Sequence, residues 1–147
     1  MEFIEKLAEE KVQNYINAHL DKDIHKLSLS KNPFETIDFK AIVNQIVAKN
    51  KAKDKLPTWF NCSGIIYPEK ISIEQTSSEL TAQYKSDLIS GKSLVDLTGG
   101  FGVDDYYFSK KIDDVYHCEL NLILSEIVKK NWETLQIKNI RSYCGDS

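Results

Sequence analysis

The residues best suited to chemistry are Asp96, Leu97, Thr98, Gly99, Gly100, Phe101 and Gly102, which follow directly on the apolar residues Leu94 and Val95. Glycines where a strand ends let the backbone turn tightly and let a ligand approach closer than a Cβ permits. Roughly 20 positions further on, where a second strand is expected to end, stands Glu119, a carboxylate placed to accept hydrogen bonds from both hydroxyls of a ribose. Asp146 ends a third expected strand, within reach of an adenine edge. The three acids then share the carboxyl side of a parallel sheet, where open α/β folds bind their ligands. Each has a plainer alternative: the glycines as a simple tight turn, the acids as exposed strand ends.

The loop also discriminates between nucleotide ligands. A dinucleotide fingerprint, G-x-G-x-x-G, rests a pyrophosphate on a helix N-terminus. Here Gly100 and Gly102 are followed by Val103, Asp104 and Asp105, so Asp105 takes the place of the third glycine, and the loop holds no Lys or Arg. Two carboxylates there suit the helix dipole. They are expected to repel a pyrophosphate and to tolerate a cationic, phosphate-free nucleoside. S-adenosylmethionine, with its sulfonium and ammonium, meets that description. Backbone groups of Thr98, Gly99, Gly100, Phe101 and Gly102 are expected to hold its methionine portion, Glu119 the ribose and Asp146 the adenine amino group. Asp96 is expected to order the loop. Gln75, Thr76 and Ser78 are candidates either for the methionine carboxylate or for helix caps. Two other function classes stay open: an NAD-type oxidoreductase half-domain, and a non-catalytic module that docks RNA or protein.

These residues need elements to position them. Residues 93–97, 114–118 and 139–144 read as short strands, separated by a helix over about 103–111 and a long one over 120–135 with Leu122, Ile123, Ile127, Val128 and Trp132 at helical spacing. That β-α-β-α-β order predicts an α/β fold, a partial Rossmann-like doubly wound parallel sheet whose remaining strands are missing. Ahead of it, residues 1–56 predict a helical N-terminal module, with helices over 2–20 and 38–53 and a short one before Asn32. Residues 57–92 read as a connection, with Thr76 and Glu79 at capping-box spacing before a helix over 77–90. The first half of the cofactor domain then occupies 93–147.

Composition bounds the rest. A net charge of −3, with 28% charged and 41% hydrophobic residues, is ordinary for a soluble globular chain and lacks the basic excess of a nucleic-acid binder. Lys49, Lys51, Lys53 and Lys55 form the one basic cluster, read as a solvated helix end rather than a phosphate contact. No apolar run approaches the ~20 residues that cross a bilayer, and the start lacks the charge pattern of a signal peptide. A cytoplasmic location and no membrane partner are expected. Cys62, Cys118 and Cys144 are odd in number and form no C-x-x-C pair, which predicts reduced thiols, with Cys118 and Cys144 buried in strands. His19, His25 and His117 show no ligand spacing, so no metal is expected.

Residues 96–102 resemble motif I of class I S-adenosylmethionine-dependent methyltransferases, with Glu119 and Asp146 at the acidic positions after the second and third strands. Together with the stretch from Ile73 to Lys85, they are similar to a bacterial group of RNA methyltransferases that carry a THUMP-like domain near the C-terminus. The likeness spans about residues 56–147. It implies a seven-stranded Rossmann-like fold and an RNA substrate for a longer protein. Thr98 stands where the commonest motif has its first glycine. The Asn or Asp followed by Pro that serves substrate and catalysis in such enzymes is expected beyond Ser147, so the resemblance assigns no catalytic residue here and implies that this chain alone is inactive. A three-stranded sheet with an open edge also makes self-association an expectation.

Overall fold

The computed structural model describes residues 2–145, and only the backbone of Lys70 and Ile71. The elements are α1 (Glu2–Ala8), α2 (Glu10–Ala18), α3 (Ile24–Ser28), α4 (Phe39–Ala52), α5 (Pro57–Asn61), α6 (Lys70–Gln75), α7 (Glu79–Asp87), β1 (Ser93–Asp96), α8 (Val103–Phe108), β2 (Asp114–Glu119), α9 (Leu122–Thr134) and β3 (Ile140–Cys144). The strands form one parallel sheet in the order β1-β2-β3. A helical N-terminal region therefore leads into a partial Rossmann-like α/β fold. Register places Asp96 beside His117 and Glu119 beside Cys144, so the carboxyl ends of the strands share one edge.

Local chemistry sets the boundaries. Asp38 accepts the Lys40 N–H at 3.0 Å and starts α4, which buries Ile42, Val43 and Ile46. Asn121 caps α9 through the Leu124 N–H at 3.1 Å, and Ile127, Val128 and Trp132 face the core. Leu122 and Ile123 do not; both are exposed.

Residues 2–20 are two helices rather than one. Glu9 adopts extended geometry between them, and the Gln13 side chain donates to the Leu7 carbonyl at 2.8 Å, supplying a partner that the broken helix leaves out. Pro57, the first residue after the expected helical module, opens α5 at a position where its missing N–H costs nothing. The capping box of Thr76 and Glu79 does not form. Ser78 caps α7 through the Thr81 N–H at 3.1 Å. Glu79, nearly buried, turns inward and accepts from the Thr58 N–H at 2.6 Å, the Thr58 hydroxyl at 2.7 Å and the Tyr107 hydroxyl at 2.8 Å.

Ile65, Ile66, Tyr67 and Pro68 cross the interior without a neighbouring strand. Side-chain amides replace it. Asn131 of α9 binds both the N–H and the carbonyl of Ile66 at 2.8 and 2.7 Å, and Gln45 of α4 does the same for Tyr67. This segment joins the helical region to the sheet within a single hydrophobic cluster that includes Ile42, Ile46, Trp59, Ile66, Phe101 and Val128.

Three further expectations are corrected. Lys49 is buried rather than solvated; its ammonium binds Asn17 at 2.7 Å, and desolvation holds its pKa below the usual lysine range. Cys118, on the central strand, is only half-buried, and Cys144, on the edge strand β3, is exposed. The first strand, read as a short apolar one, is half exposed, with Val95 and the following Leu97 open to solvent. Among the described residues no helix is long and apolar enough to cross a membrane.

Candidate functional site

The loop after β1 is built by hydrogen bonds that its own acids supply. Asp96 accepts the Thr98 N–H at 2.9 Å and folds the chain back at the strand end. The Gly99 N–H donates to the Cys118 carbonyl at 3.0 Å, and the Gly102 N–H to the Gly99 carbonyl at 2.9 Å. Glu119 closes the arrangement from β2: one oxygen accepts the Gly100 N–H at 3.2 Å and the other the Asn121 N–H at 2.7 Å. Asp96, the loop and Glu119 thus meet at one edge of the sheet. Asp146 lies outside the described residues.

The three loop glycines answer to different demands. A Cβ on Gly99 would lie 1.9 Å from the His117 ring nitrogen Nδ1. One on Gly102, which has φ +74°, would lie 2.9 Å from Val128 and 3.1 Å from Trp132. At Gly100, with φ +55°, a Cβ would meet nothing nearer than the Thr98 carbonyl at 3.8 Å. Gly100 therefore faces open space on its Cβ side while Glu119 holds its N–H, and a ligand can approach the backbone there. Neither carboxylate has a cation partner among the described residues. Phe101 contributes only its backbone, since its ring is buried against Trp59 and Tyr67 with centroids 6.4 and 6.1 Å away.

The electrostatics at the start of α8 differ from the sequence reading. Asp104 is neutralised by Lys85 of α7 at 2.8 Å and also accepts from the Ser77 hydroxyl at 3.0 Å. Asp105 points away from any ligand. It is fully buried, and one carboxylate oxygen lies 2.6 Å from Nδ1 of His117, itself fully buried. Burial, with Asp96 and Asp104 nearby, pushes the Asp105 pKa up to about 6 against the lowering effect of His117. The pair of repelling carboxylates at the helix start is thus absent, and a cation stands beside the loop after all. What still separates the loop from the dinucleotide pattern is the missing third glycine and the carboxylates of Asp96 and Glu119, unpaired with any cation among the described residues.

Gln75 ends α6, exposed, and Ser78 is occupied as the cap of α7, so the contact from this segment to α8 runs through Ser77 instead. Lys85, Ser77 and the Asp105–His117 pair escaped the sequence reading. His117 had a signal: it alternates with the buried Val115 along β2 and so points inward, where an imidazole needs a partner. Tyr107 lies in the core, and Tyr106 packs edge-on to Trp59 at 4.9 Å, so neither offers a free stacking face. Among the described residues no three His, Cys, Asp or Glu side chains gather closely enough to hold a metal ion.

No protein-family model and no curated protein matches the chain. Among solved structures it is similar to the crystal structure of a putative methyltransferase from Porphyromonas gingivalis W83, with 27% sequence identity and a TM-score of 0.80. The likeness covers 92% of this chain and 35% of that one, so the chain spans about a third of that protein's length. The helical region and the three-stranded sheet together therefore have a methyltransferase-like fold.

Proposed function

We propose that this chain is the cofactor-binding N-terminal part of an S-adenosylmethionine-dependent methyltransferase that acts on RNA. The observation that carries the reading is the open side of Gly100, a glycine in left-handed geometry, in a loop ordered by Asp96 and Glu119, two carboxylates without cation partners among the described residues. It fits a nucleoside that bears positive charge and no phosphate. Backbone groups of residues 98–102 would hold the methionine portion, and Glu119 has lone pairs left for the ribose hydroxyls after accepting its two N–H groups. Asp146 is the proposed partner of the adenine amino group. When bound, the cofactor supplies a methyl group already activated by its sulfonium. The protein's part is positioning, which is where most of the rate gain in such displacements arises. The similarity to a putative methyltransferase supports the assignment. The RNA substrate rests on the sequence resemblance, as does the inactivity of these residues alone.

Calorimetric titration with S-adenosylhomocysteine and with NAD tests this reading. Binding of the first and not the second is expected; saturable NAD binding with no response to S-adenosylhomocysteine would replace it with the oxidoreductase reading. Methyl transfer to bulk RNA by residues 1–147 alone would overturn the expected inactivity.

A further inference from the structure

Under the floor of the loop lies a pair of titratable groups that cofactor binding does not use. Asp105 and His117 are both fully buried, joined at 2.6 Å, and each retains an unpartnered polar atom: Oδ1 of Asp105 and Nε2 of His117. The imidazole occupies the volume that a side chain on residue 99 would fill. Trp132 meets the ring edge-on with centroids 4.9 Å apart. Gly99 rests on it, and Gly100, the residue that faces the ligand, follows directly.

We propose that the Asp105–His117 pair is a positioning device for the glycine loop, so that the protonation state of the pair governs cofactor affinity from inside the core. This deepens the proposed function and rests on it for the identity of the ligand. With Asp105 ionised, its carboxylate accepts from Nδ1–H of His117 in a charge-assisted bond, and Nε2 on the far side of the ring has no partner among the described residues. A proton taken up by Asp105 converts that bond to a weaker neutral one, or places a donor on Oδ1 where nothing accepts it. Either outcome weakens the hold on the ring that supports Gly99.

The charged groups around the pair have other tasks. Asp96 at the end of β1 orders Thr98, Asp104 of α8 is paired with Lys85 of α7, and Glu119 of β2 holds Gly100 from the outer side. From α9 the indole of Trp132 meets the imidazole, and it carries no charge. Burial pushes Asp105 up to about 6, which sets the pH at which the device switches.

Nuclear magnetic resonance of the 147-residue chain tests the coupling without ligand. The Gly99 and Gly100 amide resonances are expected to move between pH 7.5 and 5 with the same midpoint as the Asp105 carboxyl carbon, and to stay in place over that range in Asp105→Asn. Glycine amides that ignore the Asp105 titration in the wild-type chain, or that keep their midpoint in Asp105→Asn, would overturn the proposal. In calorimetry, S-adenosylhomocysteine affinity is expected to fall about fourfold from pH 7.5 to 5.5, the factor by which the ionised fraction of Asp105 falls, and by less than about twofold in the variant. An equal fall in both chains would also overturn it. If the glycine amides follow Asp105 but no S-adenosylhomocysteine binds at any pH, the coupling stands and the cofactor assignment fails.

Discussion

Replacing Gly99 with alanine isolates one contact. Gly99 does not have positive φ, so the backbone accepts an alanine and the cost comes from the new methyl alone. That methyl would sit 1.9 Å from Nδ1 and 2.2 Å from Cε1 of His117, where ordinary contacts between heavy atoms are about 3.5 Å. The ring must retreat by well over an ångström, and its surroundings forbid that: it is fully buried, bonded to Asp105 and set against Trp132. Overpacking of this kind costs about 1–3 kcal/mol. Breaking the Asp105 bond and leaving its partners buried and unpaired adds about 1–3 kcal/mol. Gly99→Ala should therefore destabilise the chain by roughly 3–5 kcal/mol. Removing the ring tests the cause. His117→Ala is costly by itself, yet adding Gly99→Ala to it should cost under about 1 kcal/mol, giving a coupling energy of about 3 kcal/mol in urea denaturation followed by tryptophan fluorescence. Additive losses, or a Gly99→Ala chain as stable as wild type, would refute the account of the loop's floor.

Gly100→Ala should behave in the opposite way. Its left-handed backbone costs about 1–2 kcal/mol with a Cβ, yet the methyl enters the open gap and should abolish S-adenosylhomocysteine binding in calorimetry while the fold persists. Asn131→Ala should lower stability by about 2–4 kcal/mol, since it orphans the buried N–H and carbonyl of Ile66, and Asn131→Asp should not restore it because a carboxylate cannot donate to that carbonyl. The pH dependence of stability should carry the signature of Asp105. Its pKa is raised by burial from 3.8 to about 6, so the folded chain keeps this proton where the unfolded chain has lost it; stability from this group is full at low pH and is lost as pH rises through 6. Compared with Asp105→Asn, the wild-type chain should lose about 3 kcal/mol between pH 3.5 and 7 in denaturation series, and parallel profiles would exclude the shift.

The order of elements was legible because its signals are local. The short strand-like runs before Asp96, Glu119 and Asp146 alternate with helical spacing, and Asp38 stands where a helix start needs a side-chain cap. The meeting of residues 96–102 with Glu119 was legible for the same reason, since adjacent parallel strands of similar length bring their carboxyl ends together. What stayed hidden depends on contacts distant in the chain. Nothing near Asp104 reveals that Lys85 will neutralise it, and charges beside a loop count only after their partners are known. Asp105 looked like a surface acid at a helix start, and only the packing of α8 on β2 turns it inward to His117. Glu79 matched a capping box, but three donors from Thr58 and Tyr107 outweigh the local pairing that the spacing suggests. The break at Glu9 was missed because apolar spacing continues through it while the hydrogen bonds do not.

The N-terminal helices belong to the foundation of the loop. Phe101, at its centre, is held by Trp59 of α5 and by Tyr67, and Tyr67 is fixed in turn by Gln45 of α4. Val128 and Trp132, which exclude a side chain from Gly102, lie on α9, where Asn131 grips Ile66 of the same crossing segment. The outer end of α8 is tied to Glu79, which Thr58 of α5 also binds. Three separate connections therefore run from the helical region to the loop, and each passes through a buried hydrogen bond or ring contact rather than a surface ion pair. A loop that offers one open glycine to a ligand needs its other residues immobile, because ordering it upon binding would subtract directly from affinity. The helices supply that rigidity, which is a physical reason for them to precede the sheet in the same compact core.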